Sequence, residues 1–238
     1  MGPDQGGNVA RQVNVISVRD QFITVLDSNL NLYEEMLPHA NYSYHNNRAA
    51  IHPTQANRIV GMCFMSTVGA WEEFLGDSFI RYMAGASTPS YQPVLKIGSC
   101  KGISHAVDVL AGESDYDLAK NYMTWTKYSD VCSKATVFFE RGEPYTKVPA
   151  VFKERVADAI YIRNRVAHGS DKCIKDFAKV AKRFLGLNPV DNLPRGTSVG
   201  KILKGRAVNH FQAFNTAPTY YHAYDKMFRH LAFMLVPS

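Results

Sequence analysis

Residues 163–169 read Arg163-Asn164-Arg165-Val166-Ala167-His168-Gly169, two arginines and a histidine where a helix is ending. Working backwards, Phe152, Val156, Ala159 and Val166 recur at steps of three and four, flanked by Ile160 and Ala167, so Pro149 is expected to open an amphipathic helix through Ala167. Arg163 falls inside that apolar stripe. Glu154, Asp158 and Arg165 follow another line, which makes Arg165 a solvated surface charge with acidic neighbours. Gly169 is expected to terminate the helix, with Ser170 or Asp171 capping a second one that runs back to Leu185 as an antiparallel hairpin.

An arginine inside an apolar stripe loses its hydration and needs a carboxylate or a phosphate in exchange. The partner is found upstream, in a helix of roughly 30 residues expected to start at a Thr54 cap and to stop at Gly85-Ala86-Ser87-Thr88-Pro89. Its core stripe is Phe64, Val68, Trp71, Leu75 and Phe79, and Glu72 lies on it. Glu73 aligns instead with Asp77 and Arg81 on the polar side. The two periodicities therefore predict a contact between Glu72 and Arg163.

The same spacing extends along the chain, and long strict alternations are scarce, so the fold class is all-α. A first helix at about 9–36, with Val18, Phe22, Val25 and Leu26 on one stripe, is expected to stop before Pro38. The polar, aromatic segment from Leu37 to Pro53 reads as a connection. Short helices are expected at about 103–111 and 129–141, another from Val199 to Lys204, and a last amphipathic one from Thr219 to Leu235. No repeat or linker divides the chain, which reads as a single domain over 1–238 with an insertion at about 87–148 and a C-terminal helical extension at about 190–238.

Composition narrows the function classes. With 46% hydrophobic residues the chain can build a core without staples, and a formal charge of +6 favours polyanionic partners such as nucleic acid. Cys63, Cys100, Cys132 and Cys173 form no Cys-x-x-Cys pair and read as reduced thiols, and no metal or other cofactor is expected. The first apolar stretch, Val13 to Val18, is interrupted by polar residues, and the start lacks a myristoylation pattern, so a cytoplasmic protein without a membrane partner is expected.

Arg163-Asn164-x-x-Ala167-His168-Gly169, with four residues between Arg and His and an Asn after the Arg, resembles the HEPN superfamily. The Ala70-Trp71-Glu72-x-Phe74 string of the upstream helix adds to the likeness, which is greatest to the RiboL-PSP type of prokaryotic toxin and phage-defence systems. The resemblance covers that helix and residues about 149–186. It implies a HEPN-type helical bundle with additional helices and long loops, a homodimer in which two motifs face one cleft, and a metal-independent RNA endonuclease, with an antitoxin or another defence protein as a possible partner. Arg163, Asn164 and His168 would carry over as active-site residues, and Glu72 as the acidic residue of the neighbouring helix.

Cleavage without a metal needs a base for the 2′-hydroxyl proton, an acid for the leaving 5′-oxygen and a cation for the pentacoordinate phosphate. His168 suits the first or second role and Arg163 the third, because its planar fork matches two phosphate oxygens. In the helix after the motif, Lys172, Lys175, Lys179, Lys182 and Arg183 stand opposite Ile174, Phe177, Ala181 and Phe184, and are the candidates for sequence-independent phosphate contact, with Lys201, Lys204 and Arg206 as an extension. Gly196-Thr197-Ser198-Val199-Gly200-Lys201 is rejected as a phosphate loop, being one residue short between its glycines and followed by Ile202 rather than Ser or Thr. His39, His45 and His52 are too irregularly spaced for a metal, although with Tyr42, Tyr44 and Asn46 they could meet unpaired bases. The competing reading is a module that cuts nothing, binds RNA or a protein, and uses Glu72 and Arg163 to hold its helices together.

Overall fold

Helix α2 (Pro53–Met83) is the axis on which the other elements pack, in a computed structural model that describes residues 13–40, 51–96, 98, 100–118, 120–121, 123–207 and 217–238. Val60, Phe64, Val68, Trp71, Phe74, Leu75 and Phe79 are all buried, so α2 is apolar over more than one face, as a central helix must be. Its start differs from expectation. Pro53 occupies the first helical position and His52 is the cap, its Nδ1 accepting the Thr54 amide at 3.2 Å, so Thr54 lies inside the helix.

Helix α1 (Ile16–Ala40) lies against α2 and buries Val18, Phe22, Leu26, Tyr33 and Met36, while Val25 is only half-buried. Contrary to the expected stop, it runs through Pro38. The proline falls in the closing turn, where one missing amide costs little, and the packing of Tyr33 and Met36 carries the helix past it. Residues 9–12 and 41–50, on which part of the first helix and His45, Tyr42, Tyr44 and Asn46 fall, lie outside the described residues.

The segment from 87 to 148 packs onto the same core. Helix α3 (Ile103–Ala111) has its expected bounds, and α4 (Tyr128–Phe138) ends earlier than expected. Phe139 is extended, fully buried, and pairs as a single bridge with Leu95, which takes the backbone out of the helix. Two turns of 3-10 helix follow, and Phe79 of α2 contacts the rings of Trp125, Phe139 and Tyr145.

Helices α5 (Ala150–Ala167) and α6 (Asp171–Leu185) form the expected hairpin, and α7 (Val199–Leu203) and α8 (Tyr220–Leu235) complete the described elements. Thr219 caps α8, whose Tyr221 stacks on Tyr33 at 4.2 Å and whose Leu235 carbonyl accepts the Tyr82 hydroxyl at 2.8 Å. The C-terminal segment is thus part of the core, with ten residues of α8 buried. Among the described residues the fold is all-α, the pairings Thr88–Tyr91 and Leu95–Phe139 being isolated bridges. No described helix is long and apolar enough to cross a membrane, and all four cysteines are free.

Candidate active site

The last turns of α5 lie against the middle of α2, and Arg163 bridges them. Its Nη2 donates to Glu72 Oε2 at 3.3 Å, across 91 residues of sequence, and its Nη1 donates to Asn164 Oδ1 at 3.1 Å. The side chain of Glu72 is 4% exposed and that of Arg163 26%, so a buried carboxylate holds a guanidinium whose side chain is partly open to solvent. Burial pushes the Glu72 carboxyl above its ordinary range, Arg163 pulls it back down and Glu73 adds a smaller push upward. Glu72 Oε1 is buried with no hydrogen-bond partner, so the carboxylate is only half satisfied. Glu73 and Asp77 are exposed, and Asp77 pairs with Arg81 at 3.2 Å, as their helical line predicts.

His168 is the residue at which α5 ends. Its own backbone is extended (φ −134°, ψ 139°), its amide donates to the Asn164 carbonyl at 2.8 Å and its side chain is exposed. The expected terminator was Gly169, but that glycine has no positive φ. Leaving the helix at His168 itself removes the need for a left-handed residue and frees the imidazole from the helix surface. Ser170 then caps α6, accepting the Cys173 amide at 3.4 Å.

Asp158 does not follow its expected line. It is 1% exposed and ion-paired to Arg155 at 3.2 Å and to Arg183 of α6. Helix α6 packs over that side of α5 and turns a position that an isolated helix would expose into an interior one. Arg183 therefore clamps the two helices through Asp158 while its side chain remains 41% exposed and lines a hollow along α6. Arg165 also departs from its expected place among acids: it forms no ion pair among the described residues, and its Nη1 donates to the His168 carbonyl at 3.4 Å.

The remaining basic residues of α6 stay on the outer face, where Lys172, Lys175 and Lys179 are exposed. Lys172 and Lys179 both bond Asp176, and Lys182 donates to the Pro189 carbonyl at 2.6 Å. Together with Lys175 they line a hollow along α6. Phe177, Ala181 and Phe184 are buried as expected, whereas Ile174 is 43% exposed and Ala167 of α5 is exposed at the helix end. No group of His, Cys, Asp and Glu among the described residues is arranged to hold a metal ion.

Sequence reading missed a cavity of about 430 Å³ between the start of α2, Arg165 and the loop before α7. Its wall includes Arg58 and the Gly196–Gly200 loop that failed as a magnesium-phosphate motif. Compared with profiles of protein families, with curated proteins and with solved structures, the chain matches none of them.

Proposed function

We propose that the end of α5 is the active centre of a HEPN-type endoribonuclease that cleaves RNA without a metal, in a prokaryotic toxin or antiviral setting. The observation that carries this reading is Arg163, whose Nη2 is held by Glu72 and Nη1 by Asn164 while 26% of its side chain stays exposed, so an oriented guanidinium remains within reach of a phosphate. The exposed His168 on the same helix end supplies a group able to take or give a proton.

In the proposed reaction the 2′-oxygen attacks the adjacent phosphorus, its proton passes to an imidazole, and the P–O5′ bond breaks as a second donor protonates the leaving oxygen. The products are a 2′,3′-cyclic phosphate and a 5′-hydroxyl. Arg163 stabilises the charge that grows on the phosphoryl oxygens, and Glu72 keeps the guanidinium oriented. One chain carries one such histidine, so a homodimer with two motifs on one cleft would supply both base and acid. The lysines of α6 would hold the flanking strand through charge, with affinity falling as salt rises.

The test is to incubate wild type, Arg163→Ala and His168→Ala proteins with transfer RNA and with single-stranded RNA in EDTA, and to examine product ends. Only wild type is expected to cleave, leaving cyclic phosphate ends. Equal cleavage by His168→Ala, or an absolute need for magnesium, sinks the mechanism. Intact RNA that is nevertheless bound would favour the non-catalytic reading, to which the near-complete burial of Glu72 also lends itself.

A further inference from the structure

We propose that the cavity between α2, α5 and the loop before α7 binds a nucleoside monophosphate unit, with its phosphate on Arg58 and Arg165. Both arginines line one hollow of about 430 Å³, and no carboxylate lines it with them. Neither arginine forms an ion pair among the described residues, where Arg155, Arg163, Arg183 and Arg229 each have a carboxylate. Two like charges facing one concave space repel unless an anion sits between them, and two planar donors suit the oxygens of a phosphate.

The rest of the wall fits what would be attached to that phosphate. Phe177, Val166 and Val199 give an apolar side, and the volume falls within the range of about 300–1,000 Å³ common for small-ligand pockets. Asn57 lines the cavity, and its Oδ1 is buried with no hydrogen-bond partner. The Gly196–Lys201 loop lacks the length and the metal-holding hydroxyl of a magnesium-triphosphate loop. Glu72 and His168 do not line this cavity, so the inference stands apart from the nuclease reading.

Such a unit could be a free mononucleotide or one nucleotide of an RNA chain. The experiment is calorimetric titration of AMP, adenosine and a 2′-O-methylated RNA hexamer into wild type, Arg58→Glu, Arg165→Ala and His168→Ala proteins. AMP is expected to bind wild type and His168→Ala alike, adenosine about tenfold more weakly or worse, and each arginine substitution is expected to weaken AMP by about tenfold or more. If only the hexamer binds, and both arginine substitutions weaken it by a similar factor, the occupant is a nucleotide within RNA. The proposal is overturned if neither AMP nor the hexamer binds, or if affinity is unchanged by either substitution. Arg58 is exposed and Arg165 half-buried, so both variants should keep the helical circular dichroism of the wild type. Loss of RNA cleavage in His168→Ala with AMP binding retained separates this site from the catalytic one.

Discussion

Glu72 and Arg163 are unequal partners, because only the acid is deeply buried. Its carboxyl titrates above the ordinary range, so the folded chain holds that proton more tightly than the unfolded chain does. Stability contributed by the protonated form is therefore lost as pH rises from the ordinary carboxylate value through the raised one. Removing Arg163 takes away the attraction that pulls the value down, so the loss continues to higher pH. Arg163→Ala is expected to be close to wild type in urea denaturation at acid pH, where the Glu72 carboxyl is protonated in both, and to fall behind as pH rises, by up to about 1.4 kcal/mol per pH unit. A deficit that does not change with pH would contradict this account. Glu72→Gln removes the carboxylate and leaves the largely buried guanidinium of Arg163 without its counter-charge, so it should lower stability in urea denaturation by about 1–3 kcal/mol and loosen the guanidinium.

This pair was legible in the sequence because each member sits on its own apolar stripe and each stripe could be read alone. Asp158 was not. Its burial comes from α6 and its partner Arg183 stands 25 residues further on, so nothing in the periodicity of α5 announces it. Arg165 was misplaced for the same reason, since the cavity beside it is made by α2 and the loop before α7.

At the scale of elements, the bounds of α3, α6 and α8 follow from local signals: a left-handed Gly112 after α3, a serine cap on α6 and a threonine cap on α8. The ends that differ, those of α1 and α4, are settled by packing and not by a breaker residue, while α5 ends at Ala167 as expected but by an extended His168 and not a left-handed Gly169. Helix α7 shows why a glycine can sit in a helix at a cost in propensity. A Cβ built on Gly200 would lie 2.1 Å from the Asn57 carbonyl oxygen, so the backbones of α7 and α2 touch there. Neither backbone can yield as a flexible side chain would. Gly200→Ala is expected to lower stability by about 2–3 kcal/mol in chemical denaturation, more than the gain in helix propensity offsets. Unchanged stability would mean that the two helices can separate freely. Because Asn57 and Gly200 both line the arginine cavity, the same variant should deform it.

For the whole molecule, the net charge of +6 is spread unevenly in its consequences. Many cations are spent on internal pairs, as in Arg155, Arg183 and Arg229, while the lysines of α6 remain on the outside. A sequence count cannot separate these two groups, since both appear as basic residues at helical spacing. The all-α class was legible because it needs only periodicity. The centrality of α8 was not, because its ten buried residues are given their surroundings by helices from the other end of the chain.

That centrality sets an order of events during synthesis. Tyr33 and Tyr82 find the partners Tyr221 and Leu235 only when the last described helix has been made, so the early helices wait with apolar faces uncovered. A chain stopped before Thr219 is expected to retain helical dichroism but to bind a hydrophobic dye and lose cooperative melting. A truncated chain that melts cooperatively would refute this. The helices that carry Glu72 and Arg163 thus reach their final packing only after α8 has left the ribosome, which ties any activity of the site to the docking of a helix about 60 residues downstream of Arg163.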